Sequence, residues 1–112
     1  MATIAPQLLG ANGSMAELTL SATTLTGDDF LNDGQTVLIL ESSAAGPETV
    51  TITGVAAQDS GRTESLVVNI DNGDRAFVGP FKPRNWNNGL GRIDIVSTDI
   101  LISAAVVRYS IA

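Results

Sequence analysis

An all-β fold is predicted, a single-domain β-sandwich of about seven or eight strands with jelly-roll or immunoglobulin-like topology. Three observations predict it. Apolar residues recur with period two rather than 3.6, so aliphatic side chains gather on one face of an extended chain. Clusters of Gly, Asn, Asp and Pro separate these runs at hairpin spacing. No window of about eleven residues carries three-and-four apolar spacing free of Gly or a β-branched run, so no long helix is expected.

The weakest strand comes first, Glu17 to Leu20 (ELTL). Thr36 to Leu40 (TVLIL) is aliphatic at successive positions, which predicts a strand covered on both faces. In Glu48 to Thr53 (ETVTIT), Val50 and Ile52 alternate with threonines, the pattern of a half-buried strand. Leu66 to Ile70, Arg75 to Val78, Arg92 to Val96 and Ile100 to Val107 complete the set, nearly all rich in β-branched residues that suit a pleated surface. The last run would aggregate as a bare edge and is expected to be central or covered. Breakers lie between the runs at Asn12-Gly13, Asn32-Asp33-Gly34, Ala45-Gly46-Pro47, Ser60-Gly61, Asp71-Asn72-Gly73-Asp74 and Asn88-Gly89.

Two segments fall outside this grammar. Residues 1–14 contain Pro6, Gly10, Gly13 and the apolar pair Leu8-Leu9, and are expected to form an extended arm outside a domain spanning 15–112. The arm is either a frayed terminus or a segment that orders on a partner through Leu8 and Leu9. Residues 79–91, GPFKPRNWNNGLG, gather Phe81, Lys82, Arg84 and the only Trp, Trp86. Trp and Arg are enriched at binding hot spots, so this loop is the candidate contact surface; the alternative is that Phe81 and Trp86 lid an open end of the sandwich.

Composition narrows the chemistry. With 44% hydrophobic and 16% charged residues, the 112-residue chain is too apolar for disorder and too interrupted for a membrane span. It has no Cys and no His, so disulfides, thiolate nucleophiles, imidazole bases and the preferred zinc ligands are all lost. The formal net charge is −6, and residues 1–61 contain no Lys or Arg. All six cations follow Gly61 and are scattered, which gives no nucleic-acid footprint. The start, MATIAPQLLGANGSM, lacks a charged n-region and a sustained apolar core, so synthesis in the cytoplasm without secretion is expected.

No catalytic constellation is found. A Ser-Lys pair would rest on Lys82, the only Lys, and a carboxylate pair from Asp28, Asp29 and Asp33 lacks the aromatic platforms of a glycosidase cleft in a chain with five aromatics. Asp29-x-Leu31-x-Asp33-Gly34 fails as a calcium loop, because Leu31 stands where an oxygen ligand is needed and the twelfth position is Leu40. Asn32-Asp33-Gly34 and Asp71-Asn72-Gly73-Asp74 read as turns. No enzyme activity, cofactor or metal is therefore expected.

Phe30-Leu31-Asn32-Asp33-Gly34-Gln35-Thr36-Val37-Leu38, then Glu48-Thr49-Val50-Thr51-Ile52, Val78-Gly79-Pro80-Phe81 and the segment Gly91 to Ile95 resemble small all-β virion proteins of tailed bacteriophages, of the capsid decoration or cement type. The resemblance spans residues 30–108 and leaves the arm uncovered. It implies a protein without catalytic residues that binds the major capsid protein on the outside of a phage head, as a homotrimer, without nucleic acid or membrane. On that hypothesis Leu8 and Leu9 form an arm grip, Phe81 and Trp86 are apolar anchors, and Lys82 and Arg84 pair with shell carboxylates. The alternatives are a head-fibre, neck or tail component, or a displayed carbohydrate-binding module using Trp86 and Tyr109 as stacking platforms.

Overall fold

The structure, a computed structural model, describes residues 2–8, 18–54 and 65–108. Ten strands occur among them: β1 (Ala2–Thr3), β2 (Pro6–Leu8), β3 (Ser21–Ala22), β4 (Asp28–Leu31), β5 (Thr36–Ser42), β6 (Glu48–Ile52), β7 (Leu66–Ile70), β8 (Arg75–Val78), β9 (Arg92–Ser97) and β10 (Ile102–Arg108). The one helix among the described residues is the single turn α1, Pro83–Trp86.

Two sheets are formed. One has the order β1-β4-β9-β6-β7; the other runs β2-β10-β5-β8, with β3 also on β10. Setting aside β1 and β2, the eight strands β3 to β10 pair only antiparallel. Their order is first-eighth-third-sixth in one sheet and second-seventh-fourth-fifth in the other. That is a jelly roll, two Greek keys rolled over one core, and it excludes the immunoglobulin alternative.

The period-two pattern places the core. Leu38 and Leu40 of β5 and Ala104 and Val106 of β10 face Val50, Ile52, Ile93 and Ile95 of the opposite sheet in one apolar cluster. Strand β10 is interior, flanked by β5 on one side and by β2 and β3 on the other, as its lack of edge protection requires. It begins at Ile102 rather than Ile100, because Asp99 takes the Leu101 amide on its side chain (2.7 Å) and the Ile102 amide on its carbonyl (3.2 Å), which makes a turn.

Two expectations are corrected, and one strand is new. Residues 2–8 are not an arm outside the core: β1 lies parallel to β4 and β2 parallel to β10, so the chain crosses from one sheet to the other at Ile4 and Ala5. Ile4 is buried in the core, and its amide donates to the Asp29 carbonyl at 2.7 Å. Pro6 does not oppose this, since proline is tolerated on an edge strand. Residues 18–20 are not in a strand, and Glu17 lies outside the described residues; pairing begins at Ser21, where the Thr23 amide and hydroxyl both bond the Ile102 carbonyl (3.0 and 2.8 Å). Strand β4 was not anticipated, because Asp28 and Asp29 are buried in it. Asp28 accepts from the Thr24 amide at 2.9 Å, and Asp29 lies 3.7 Å from Arg92.

Candidate contact surface

Alternation of the strands puts the loops of residues 32–35 and 79–91 at one end of the jelly roll and those of 24–27, 43–47, 71–74 and 98–101 at the other. The described candidate contact residues, Leu8, Phe81, Lys82, Arg84 and Trp86, belong to the first end, and its construction decides which of them a partner can reach.

Loop 79–91 starts at Gly79, whose φ of +127° suits only glycine, and where a Cβ would come within 3.0 Å of the Thr36 carbonyl oxygen. That close approach turns Phe81 inward. Its ring lies 6.1 Å from Phe30 and 5.6 Å from Trp86, the latter edge-on, and the residue is 4% exposed. Phe81 therefore closes the core and is not a free anchor, and Trp86 is half-buried against it. Pro83 opens α1, as its fixed φ and missing N–H favour. Lys82, Pro83 and Arg84 are exposed on the outer side of the plug.

The fastener of this end is Asn32, buried at 6% exposure. Its Nδ2 donates to the Phe81 carbonyl (3.1 Å) and to Asn87 Oδ1 (2.8 Å), while its Oδ1 accepts from the Thr36 hydroxyl (2.6 Å) and the Gly34 amide (3.1 Å). Asn87 returns a bond from Nδ2 to the Asn32 carbonyl at 2.7 Å, and the Asn32 amide donates to the Gly91 carbonyl at 3.1 Å. Every polar atom of Asn32 is thus used, and the two loops are one rigid unit. Asn88 Oδ1 then accepts from the Leu90 and Arg92 amides (2.8 and 3.3 Å) and leads the chain into β9.

Next to this unit, Arg108 Nε donates to Asp33 Oδ2 at 2.5 Å. Asp33 Oδ1 accepts from the Gln35 amide at 2.9 Å. The Arg108 hydrogen bond, with that of Gln35, holds the Asp33 carboxyl below the usual carboxylate range. A cleft of about 320 Å³ lies between Pro6, Leu31, Asp33 and Arg108. Leu8, in register with Arg108, is 61% exposed. Leu9 and Tyr109 lie outside the described residues.

The five described candidates are therefore not one surface. Leu8, Lys82 and Arg84 are exposed, Trp86 is partly covered, and Phe81 is internal. The sequence did not point to Asn32, whose two key partners lie 49 and 55 residues away. Charge is divided between the ends. Among the described residues, Lys82, Arg84, Arg92 and Arg108 lie at or next to this one together with Asp33, whereas Glu41, Glu48, Asp71, Asp74 and Asp99 lie at or next to the other together with Arg75. Among the described residues no three acidic side chains converge as a metal site. The ion pair of buried Asp29 with partly exposed Arg92 leaves Asp29 Oδ1 and Arg92 Nε without a hydrogen bond. Comparison with protein-family models, curated proteins and solved structures gives no match.

Proposed function

We propose that this chain is a virion structural protein of the capsid decoration type, binding the major capsid protein on the outer surface of a bacteriophage head. The observation that carries the proposal is the pinned loop of residues 79–91, which displays Lys82 and Arg84 over a core plugged by Phe81. A cement protein needs a stiff body and a presented contact surface, and loop residues already ordered lose little entropy on docking. The basic end would face shell carboxylates, with Leu8 and the exposed part of Trp86 adding apolar contact and the acidic end pointing outward. Jelly rolls occur among viral capsid and lectin domains, and the fold agrees with this reading by analogy.

The test is occupancy of purified DNA-filled heads by the purified chain, with a K82E/R84E double variant. Binding should weaken at least tenfold and fall with added salt, with the fold of the double variant checked by its circular-dichroism spectrum. Equal occupancy by parent and double variant would overturn the assignment of this end. Binding to tails or to immobilised glycans instead of heads would overturn the decoration role itself.

A further inference from the structure

We infer that β7 is a self-association edge, on which a second copy of this chain adds antiparallel across a twofold axis to join two sheets into one. An unpaired sheet edge is a template for another strand, and proteins ordinarily protect such edges with brevity, proline or charge. The other edges here are protected in these ways. β1 and β3 are two residues long, β2 begins with Pro6, and β8 carries Arg75, which lies 2.5 Å from Glu41. Among the described residues β7 is the exception: Leu66-Val67-Val68-Asn69-Ile70 has five residues, no charge and no proline, and has β6 on one side and no described strand on the other.

Its side chains are left open to match. Leu66 is 40% and Val67 54% exposed. Self-pairing centred on Val68 sets Leu66 against Ile70, Val67 against Asn69 and Ser65 against Asp71 of the second copy. All five strand residues pair in that register, and no like charges are opposed, which matters in a chain of net charge −6. The contact is isologous, so it closes at two copies rather than growing into a fibre, and it stands in place of the homotrimer that the resemblance implies.

Light scattering at rising concentration tests this directly. The expected limit is twice the 11.6 kDa chain mass. V67K should return the protein to a single-chain mass at the same concentration with an unchanged melt, because Val67 faces away from the core. As a second readout, the parent chain has no Cys, so V67C and N69C variants mixed under oxidation should give a covalent dimer several-fold faster than either alone. A single-chain mass at all concentrations, a trimer, or a dimer that survives V67K would overturn the inference. Solution mass tests this contact whether or not the chain binds a phage head.

Discussion

Replacing Asn32 by Asp changes one atom and should be among the costliest conservative substitutions in this protein. The Asn32 Oδ1 partners, Thr36 and Gly34, keep their acceptor. The Nδ2 atom becomes an oxygen facing the Phe81 carbonyl and Asn87 Oδ1, which had been 3.1 and 2.8 Å from a donor. Two hydrogen bonds are lost at about 1 kcal/mol each, and two buried acceptors then face a carboxylate at about 1–3 kcal/mol more. Asn87 can turn its amide to donate, but then gives up its 2.7 Å bond to the Asn32 carbonyl. A net loss of about 2–5 kcal/mol follows, or roughly 8–20 °C in Tm for a domain of this size.

The pH dependence gives the prediction a second handle. A carboxyl buried against two acceptors has its folded-state pKa raised above the unfolded value, so protons favour the folded variant. The N32D deficit should be greatest near neutrality and shrink as pH falls through that raised pKa, when a protonated carboxyl restores one donor. Differential scanning calorimetry of parent and N32D from pH 3 to 7 measures both effects, with N72D in the exposed turn as control. A variant within about 0.5 kcal/mol of the parent at pH 7 would refute the account of Asn32 as fastener.

Phe81→Ala should cost about 3–5 kcal/mol by chemical denaturation, because it empties part of the core, whereas Trp86→Ala should cost distinctly less; equal losses would contradict the plug. D33N keeps one oxygen for the Gln35 amide but replaces Oδ2, the acceptor of the Arg108 bond, by an NH2 group, so it removes both the charge and the hydrogen bond opposite Arg108. Because the Asp33 carboxyl is held below its unfolded value of 3.8, its contribution is present above that pH and lost as pH falls through the folded pKa. Both side chains are 42% exposed, so the difference in stability at pH 7 should stay under about 1 kcal/mol and shrink as pH falls through the folded-state pKa; a gap that does not change with pH would exclude the ion pair as its source.

Most of the fold was legible because a two-residue period depends only on neighbours in sequence. Strands β5 to β10 appear in the sequence within about two residues of their ends, and the burial of β10 followed from its unprotected length. What was hidden depends on distant partners. Asp28 and Asp29 make β4 look like a loop until Thr24 and Arg92 are in place. Residues 2–8 contain a proline and too few apolar residues to announce a strand, yet each of the two pieces needs only one neighbouring strand. At the candidate surface, Phe81 and Trp86 were open to both an anchor and a lid. The 6.1 Å approach of Phe30 decides for the lid in the case of Phe81. Asn32 reads as a turn residue, and nothing local to it reveals the loop it holds.

The two proposed contacts lie on different parts of the molecule, and this makes their coupling calculable. β7 is a lateral edge, whereas Lys82 and Arg84 sit on an end loop, so K82E/R84E should leave solution mass untouched. The reverse does not hold. If two copies joined at β7 engage a shell together, the second contact forms at the effective concentration set by the first, and avidity multiplies a weak single contact by about 10²–10⁴ when geometry allows both. V67K would then lower head occupancy without touching the docking loop, and its deficit would disappear at concentrations high enough to saturate single sites. A V67K chain that is monomeric yet binds heads as tightly as the parent would mean that each copy docks alone, and that the twofold contact serves assembly in solution rather than attachment.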